Sequence, residues 1–120
     1  MEEMKLGPVE SKFADLIWDN APMTSRDLGN LCQKALDWKK STTYTVLKKL
    51  CDRGIFQNQE GLVTPRISRE EFQAIQSERF VEENFSGSLP AFLAAFTKRK
   101  ALSRQEIDQL REMIASYSEE

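Results

Sequence analysis

The sequence predicts a mainly α-helical chain with one small β-hairpin. Apolar residues recur at helical spacing through most of its length, and helix-capping signatures precede those stretches. Between the third and fourth stretches, two short β-prone runs flank a turn that contains a glycine. With 120 residues, 40% of them hydrophobic and 30% charged, the chain can build one ordinary core or two small ones.

The first helix starts at Pro8, whose missing N–H and fixed φ suit the first helical position, behind Gly7 as a permissive cap. Val9, Phe13, Leu16 and Ile17 follow at i, i+4, i+7 and i+8 as one apolar stripe, and Asn20-Ala21-Pro22 ends the helix. Thr24 caps the second helix with Asp27 as reciprocal partner, and Met23 staples onto Leu28. Leu28, Leu31, Cys32 and Leu36 supply its buried face. The third helix follows Trp38 after a connection short enough for a helix-turn-helix, and Gly54 is its left-handed stop. Ile55-Phe56-Gln57 and Leu62-Val63-Thr64 make a hairpin around Asn58-Gln59-Glu60-Gly61, with Pro65 confining the second strand to an edge. Three helices and a hairpin in this order predict a winged helix-turn-helix over residues 1–67.

Ser68 opens a fourth helix with a capping box to Glu71 and a staple from Ile67 to Phe72, running to about Asn84. Ser86-Gly87-Ser88 interrupts the pattern. Leu89, Phe92, Leu93 and Phe96 mark a fifth helix. Ser103 and Glu106 box a sixth, stapled by Leu102 onto Ile107 and continued by Leu110, Ile114 and Tyr117. Residues 68–120 are read as a helical dimerisation domain. Five of the seven phenylalanines lie there, in 53 residues that make a small core, so the aromatic surface calls for a partner, most simply another copy. The expected contacts are Phe80, Phe85, Leu89, Phe92, Phe96 and Ile114.

Composition narrows the chemistry. No histidine is present, which removes Ser-His-Asp and Cys-His pairs and the commonest neutral metal ligand. No catalytic residue, metal ligand or cofactor is assigned, and an enzymatic role is not expected. Glu70-Glu71 and Glu82-Glu83 are neighbours in a helix, pointing about 100° apart, and serve solubility rather than paired acid–base work. Cys32 and Cys51 are too few for a secreted disulfide scaffold and too far apart for a CxxC motif. Both fall on or beside apolar stripes and read as small core hydrophobes, with a thiol switch as the alternative. Trp18 and Trp38, next to helix ends, read as core anchors. The acidic N-terminus and the lack of any apolar run near the roughly 18 residues of a membrane helix predict a cytoplasmic protein without membrane insertion.

The net charge of −2 hides an uneven distribution. Lys34, Lys39, Lys40, Lys48, Lys49 and Arg53 face only Asp37 and Asp52 within 20 residues, a local balance of +4, whereas residues 68–120 carry −3. Wound at about 100° per residue from Tyr44, the third helix gathers Thr43, Val46, Leu47 and Leu50 on one arc. Ser41, Thr42, Tyr44, Thr45, Lys48 and Lys49 fill the opposite arc. Hydroxyls can bond base edges, a threonine methyl can touch thymine, and lysine neutralises phosphate. A solvated polar face is the bland alternative for this helix alone; the capped helix before it and the hairpin after it favour DNA.

These residues also resemble a known family. Leu6 with Glu10 and Trp18, Thr24, the run Trp38-Lys39-Lys40-Ser41-Thr42-Thr43-Tyr44-Thr45-Val46-Leu47-Lys48-Lys49-Leu50, and Arg53-Gly54-Ile55 are similar to the penicillinase repressor family. The resemblance continues through Ser68-Arg69-Glu70-Glu71-Phe72, Phe85-Ser86-Gly87 and Leu102-Ser103-x-x-Glu106-Ile107-x-x-Leu110, so it covers nearly the whole chain. It implies a homodimeric transcriptional repressor whose winged helix binds a palindromic double-stranded DNA operator. By position, Ser41, Thr42, Tyr44 and Thr45 would then face bases, with Lys39, Lys40 and Lys48 near phosphates.

The sequence departs from the family in three places. The C-terminal CxC pair of its metal-sensing members is absent. Other members are inactivated when a membrane-bound sensor protease signals cleavage of an Asn-Phe bond; the matching bond here is Ala95-Phe96, without the Asn. Family wings are longer and basic at the tip, whereas Asn58-Gln59-Glu60-Gly61 is short and bears an acid, leaving Arg66 at the strand base as the nearby positive charge. The reduced wing and acidic composition keep an alternative open: a winged-helix module that docks a protein and does not bind DNA.

Overall fold

The computed structural model describes residues 5–117. The chain forms two compact units, divided between Arg79 and Phe80. The first contains α1 (Pro8–Asn20), β1 (Met23–Thr24), α2 (Ser25–Leu36), α3 (Lys40–Asp52), β2 (Phe56–Gln59), β3 (Leu62–Pro65) and the first turns of α4 (Arg69–Phe85). The second contains the end of α4, α5 (Leu89–Arg99) and α6 (Arg104–Ala115). The winged helix-turn-helix order is therefore present, followed by helices alone.

Local chemistry explains the boundaries. Glu10 Oε1 accepts from Gly7 N at 3.1 Å, closing the start of α1 behind Pro8. Thr24 Oγ1 accepts from Asp27 N at 3.0 Å at the head of α2, and Ser68 Oγ does the same for Glu71 N at 3.0 Å at the head of α4. Ser103 and Glu106 form a two-armed box, 2.9 and 3.0 Å, that starts α6. The stop of α3 is a full Schellman motif. Gly54 takes φ +84°, its N–H reaches Cys51 O at 2.9 Å, and Ile55 N reaches Leu50 O at 3.1 Å, with Ile55 and Leu50 both fully buried.

Two expectations about the sheet are corrected. Met23 and Thr24 form a strand of their own, and the antiparallel sheet has three strands in the order β1-β3-β2. The strand carrying Pro65 is thus central, not an edge. Proline is tolerated because β1 pairs only with Val63 and Leu62 and ends before Pro65 needs a donor on that side. Burial on α2 also differs: Gly29 is buried, where α2 meets α3, whereas Leu31 and Leu36 stay half-buried.

One core closes the first unit. Phe13, Ala14 and Ile17 of α1 meet Leu28 and Cys32 of α2, Leu47 and Leu50 of α3, Ile55, Phe56 and Val63 around the sheet, and Phe72 of α4. Val9, in the first turn of α1, lies beyond this core and is exposed. Trp38 stacks on Phe13 at 5.4 Å, and Trp18 lies 5.2 Å from Phe56 and 5.4 Å from Phe72. Both tryptophans anchor the core's rim. In the second unit, Phe80, Phe85 and Phe92 form a cluster 5.6–6.1 Å apart in which Phe92 meets the other two edge-on, and Phe96 adjoins Phe92 at 6.1 Å. None of its described residues is buried. No described helix is long and apolar enough to cross a membrane.

Candidate nucleic-acid interface

The interior fixes which side of α3 faces outward. Thr43, Leu47 and Leu50 point into the core, at 0%, 2% and 0% exposure. Rotation of the helix by those three anchors turns Ser41, Thr42, Tyr44, Thr45, Lys48 and Lys49 to the surface, and all six are exposed. Tyr44 retains 42% of its surface in a residue type usually well covered. Lys39 is the N-cap residue of α3 and Lys40 its first residue, both exposed. No side chain caps this helix end, so its first N–H groups stay available to an anion.

The hydroxyls are not equivalent. Thr45 Oγ1 donates to Ser41 O at 2.9 Å, which uses its proton and leaves the oxygen as an acceptor. The lysines divide as well. Lys48 Nζ lies 3.2 Å from Asp52 in an exposed pair, easily exchanged for another anion. Lys49 Nζ sits 2.9 Å from Glu10, which also takes Arg53 at 3.5 Å. The Lys49 ammonium and the Gly7 N–H hold the Glu10 carboxyl below the usual carboxylate range. Lys49 and Arg53 are thereby tied to α1. Among the described residues, Lys39, Lys40 and Arg66 make no ion pair.

Sequence reading missed the role of Gly29. A Cβ there would lie 3.4 Å from Tyr44 Oη and 3.5 Å from Lys40 Cγ, so α3's outward side chains lie back over α2 in van der Waals reach of this position. A glycine inside a helical pattern was the available signal. A cleft of about 410 Å³ opens beside this face, lined by Ser25, Tyr44, Leu47, Lys48, Cys51 and Asn58. Burial, reinforced by the Asp52 charge, pushes the Cys51 thiol up; burial does the same to Cys32, which is fully enclosed.

The wing is tight. Gln59 pairs with Leu62, leaving Glu60 (φ +53°) and Gly61 (φ +89°) as a two-residue turn of the type that matches strand twist. Asn58 Oδ1 accepts from Gly61 N at 3.0 Å. The tip presents an acid, and Arg66 lies at the other end of the hairpin, its N–H bonded to Ile55 O at 2.9 Å. The structure thus gathers Lys39, Lys40, Ser41, Thr42, Tyr44, Thr45 and Lys48 on one helix, with Arg66 apart from them.

Of the residues expected at a dimer contact, Phe80, Leu89, Phe96 and Ile114 are 43–65% exposed, and Phe85 and Phe92 are half-buried. A second hollow of about 350 Å³ lies between α5 and α6, floored by Phe92, Phe96, Leu102, Leu110 and Met113. The Ala95-Phe96 bond lies inside α5, with Phe96 O accepting from Lys100 N at 3.1 Å. Among the described residues, no group of three or more Cys, Asp and Glu side chains is placed to hold a metal.

A family model described as "Penicillinase repressor" matches residues 6–116. No curated protein matches the chain.

Proposed function

We propose, from the premise that the chain belongs to the penicillinase repressor family, that it is a homodimeric transcriptional repressor acting in the cytoplasm. In this reading α3 enters the major groove of a two-fold operator and the second unit holds two copies together. The observation that carries it is the outward face of α3: hydroxyls and ammonium groups on one side of a helix whose other side is locked into the core. Ser41, Thr42, Tyr44 and Thr45 read base edges, and Lys39, Lys40 and Lys48 neutralise phosphates. With a wing that carries Glu60 at its tip, affinity rests on α3 and on duplication. Two linked copies raise the effective concentration of the second reading helix. Induction by a membrane-bound sensor protease requires α5 to unwind, because Ala95-Phe96 lies within its helical backbone.

The acidic wing tip favours the second reading, a protein-docking module. Fragments of the source genome retained by the purified chain separate the two. The repressor reading expects enriched fragments that share an inverted repeat and a complex containing two chains; retention no better than that of random duplex overturns it.

A further inference from the structure

We propose that the cleft beside α3 binds a flat aromatic monocarboxylate, and that this occupant takes Tyr44 and Lys48 away from DNA. The competition rests on the repressor reading above. The cleft lies wholly within the first unit. Tyr44, Leu47, Lys48 and Cys51 stand at i, i+3, i+4 and i+7, a single stripe of α3. That stripe runs along the border between the arc of α3 locked into the core and the arc proposed to meet DNA. Leu47 is almost fully buried and Cys51 half-buried, whereas Tyr44 and Lys48 are exposed. One helix thus supplies both an apolar floor and a polar rim.

The opposite wall is Ser25 at the head of α2 and Asn58 on β2, and the two are tied together. Ser25 N donates to Gly61 O at 2.8 Å, and Gly61 N donates to Asn58 Oδ1 at 3.0 Å. Through Gly61 the start of α2 is bonded to the hairpin, so the wall is built before a ligand arrives.

The lining selects the chemistry. Leu47 and Cys51 offer apolar surface, and the Tyr44 ring offers a neighbouring ring an offset or edge-on contact. Lys48 is the single cation of the lining. Its Nζ lies 3.2 Å from Asp52 in a pair whose two side chains are largely exposed, so a ligand carboxylate can replace Asp52 at little cost. One ammonium suits a monoanion better than the dianion of a phosphate ester. The volume of about 410 Å³ falls within the range of small-molecule sites and admits a fused two-ring acid.

The probe is 2-naphthoate, with 2-naphthamide as its uncharged counterpart. Backbone amide shifts of the isotope-labelled full-length protein are followed during titration. Half-saturation by 2-naphthoate is expected at about 1 mM or below, with the largest shifts at Ser25, Tyr44, Lys48, Cys51 and Asn58. The amide is expected to bind about fivefold more weakly. Asp52→Asn releases Lys48 and is expected to tighten the acid about threefold without changing the amide. Cys51→Phe fills the floor and is expected to weaken both ligands at least about tenfold. Asn58→Asp keeps the acceptor for Gly61 N and adds a like charge, so it is expected to weaken the acid alone; it serves if Cys51→Phe does not fold.

Duplex affinity is measured in parallel, and saturating 2-naphthoate is expected to lower it about tenfold. If the unaltered protein binds no duplex, the repressor reading fails, and the amide titration alone decides the cleft. Shifts that are absent, that lie away from the cleft, or that persist unaltered in the folded cleft variants overturn the inference. So does a duplex affinity unchanged at full occupancy.

Discussion

Lys48 and Lys49 are adjacent in sequence, yet the structure gives them different work. Lys48 extends from the outward face with only an exposed partner, whereas Lys49 is drawn onto Glu10 of α1. Lys48→Ala is expected to weaken binding to all duplexes alike and to lower the salt slope of affinity by about one; Lys49→Ala is expected to leave that slope unchanged. Titration of affinity against salt checks both. Glu10 makes a second prediction. Its folded pKa is depressed, so its contribution to stability is complete above the ordinary carboxylate range and disappears as pH falls through the folded value. Glu106 follows the same rule because it accepts from Ser103 N. Urea midpoints between about pH 6 and about pH 3 should therefore fall less steeply in Glu10→Gln than in the unaltered protein. The alternation on α3 was legible from sequence because period alone assigns faces. The loss of Lys49 to α1 was not, since it depends on how Glu10 and Lys49, 39 residues apart in the chain, are brought together.

At the scale of elements, the signals with a local mechanism were readable. Pro8, Thr24, Gly54, Ser68 and Ser103 each act within one turn of chain, and each marks a boundary of the observed elements. Gly54→Ala places a Cβ at φ +84° and is expected to destabilise the first unit by about 1 kcal/mol, measured by denaturant unfolding. Leu50→Ala opens the interior beneath α3 and is expected to cost about 2–5 kcal/mol in the same assay. The signals with a distant mechanism were not readable. β1 has two residues and exists because Leu62 and Val63 offer it an open side, which no period in Met23-Thr24 announces. Pro65 pointed to an edge strand by its missing donor, but the strand beside it is short enough to need nothing there. Gly29 and Arg69 belong to the same class: their partners are Tyr44 and Lys40 in one case, Asp15 and Asp19 in the other, all supplied by tertiary packing.

The whole molecule divides its tasks. The first unit has a fully buried core and exposes few large apolar side chains, Val9, Tyr44 and Leu62, while the second leaves Phe80, Leu89, Phe96, Met113, Ile114 and Tyr117 between 43% and 69% exposed. That much uncovered apolar surface in one small unit is what the proposed dimer would cover. Paired substitution of Phe92 and Phe96 by Ala is expected to reduce the mass in solution from two chains to one, checked by sedimentation. It should also lower affinity for a two-half-site operator by about a hundredfold while sparing the single half-site. Repression on this account depends on one surface, the outward face of α3, presented twice. The most direct measurement is the ratio of affinities for operator and scrambled duplex, for the unaltered protein and for a variant with Ser41, Thr42, Tyr44 and Thr45 all replaced by alanine. The account predicts that the variant's ratio collapses towards one while its salt slope persists; a folded variant that still discriminates as well as the parent would contradict it.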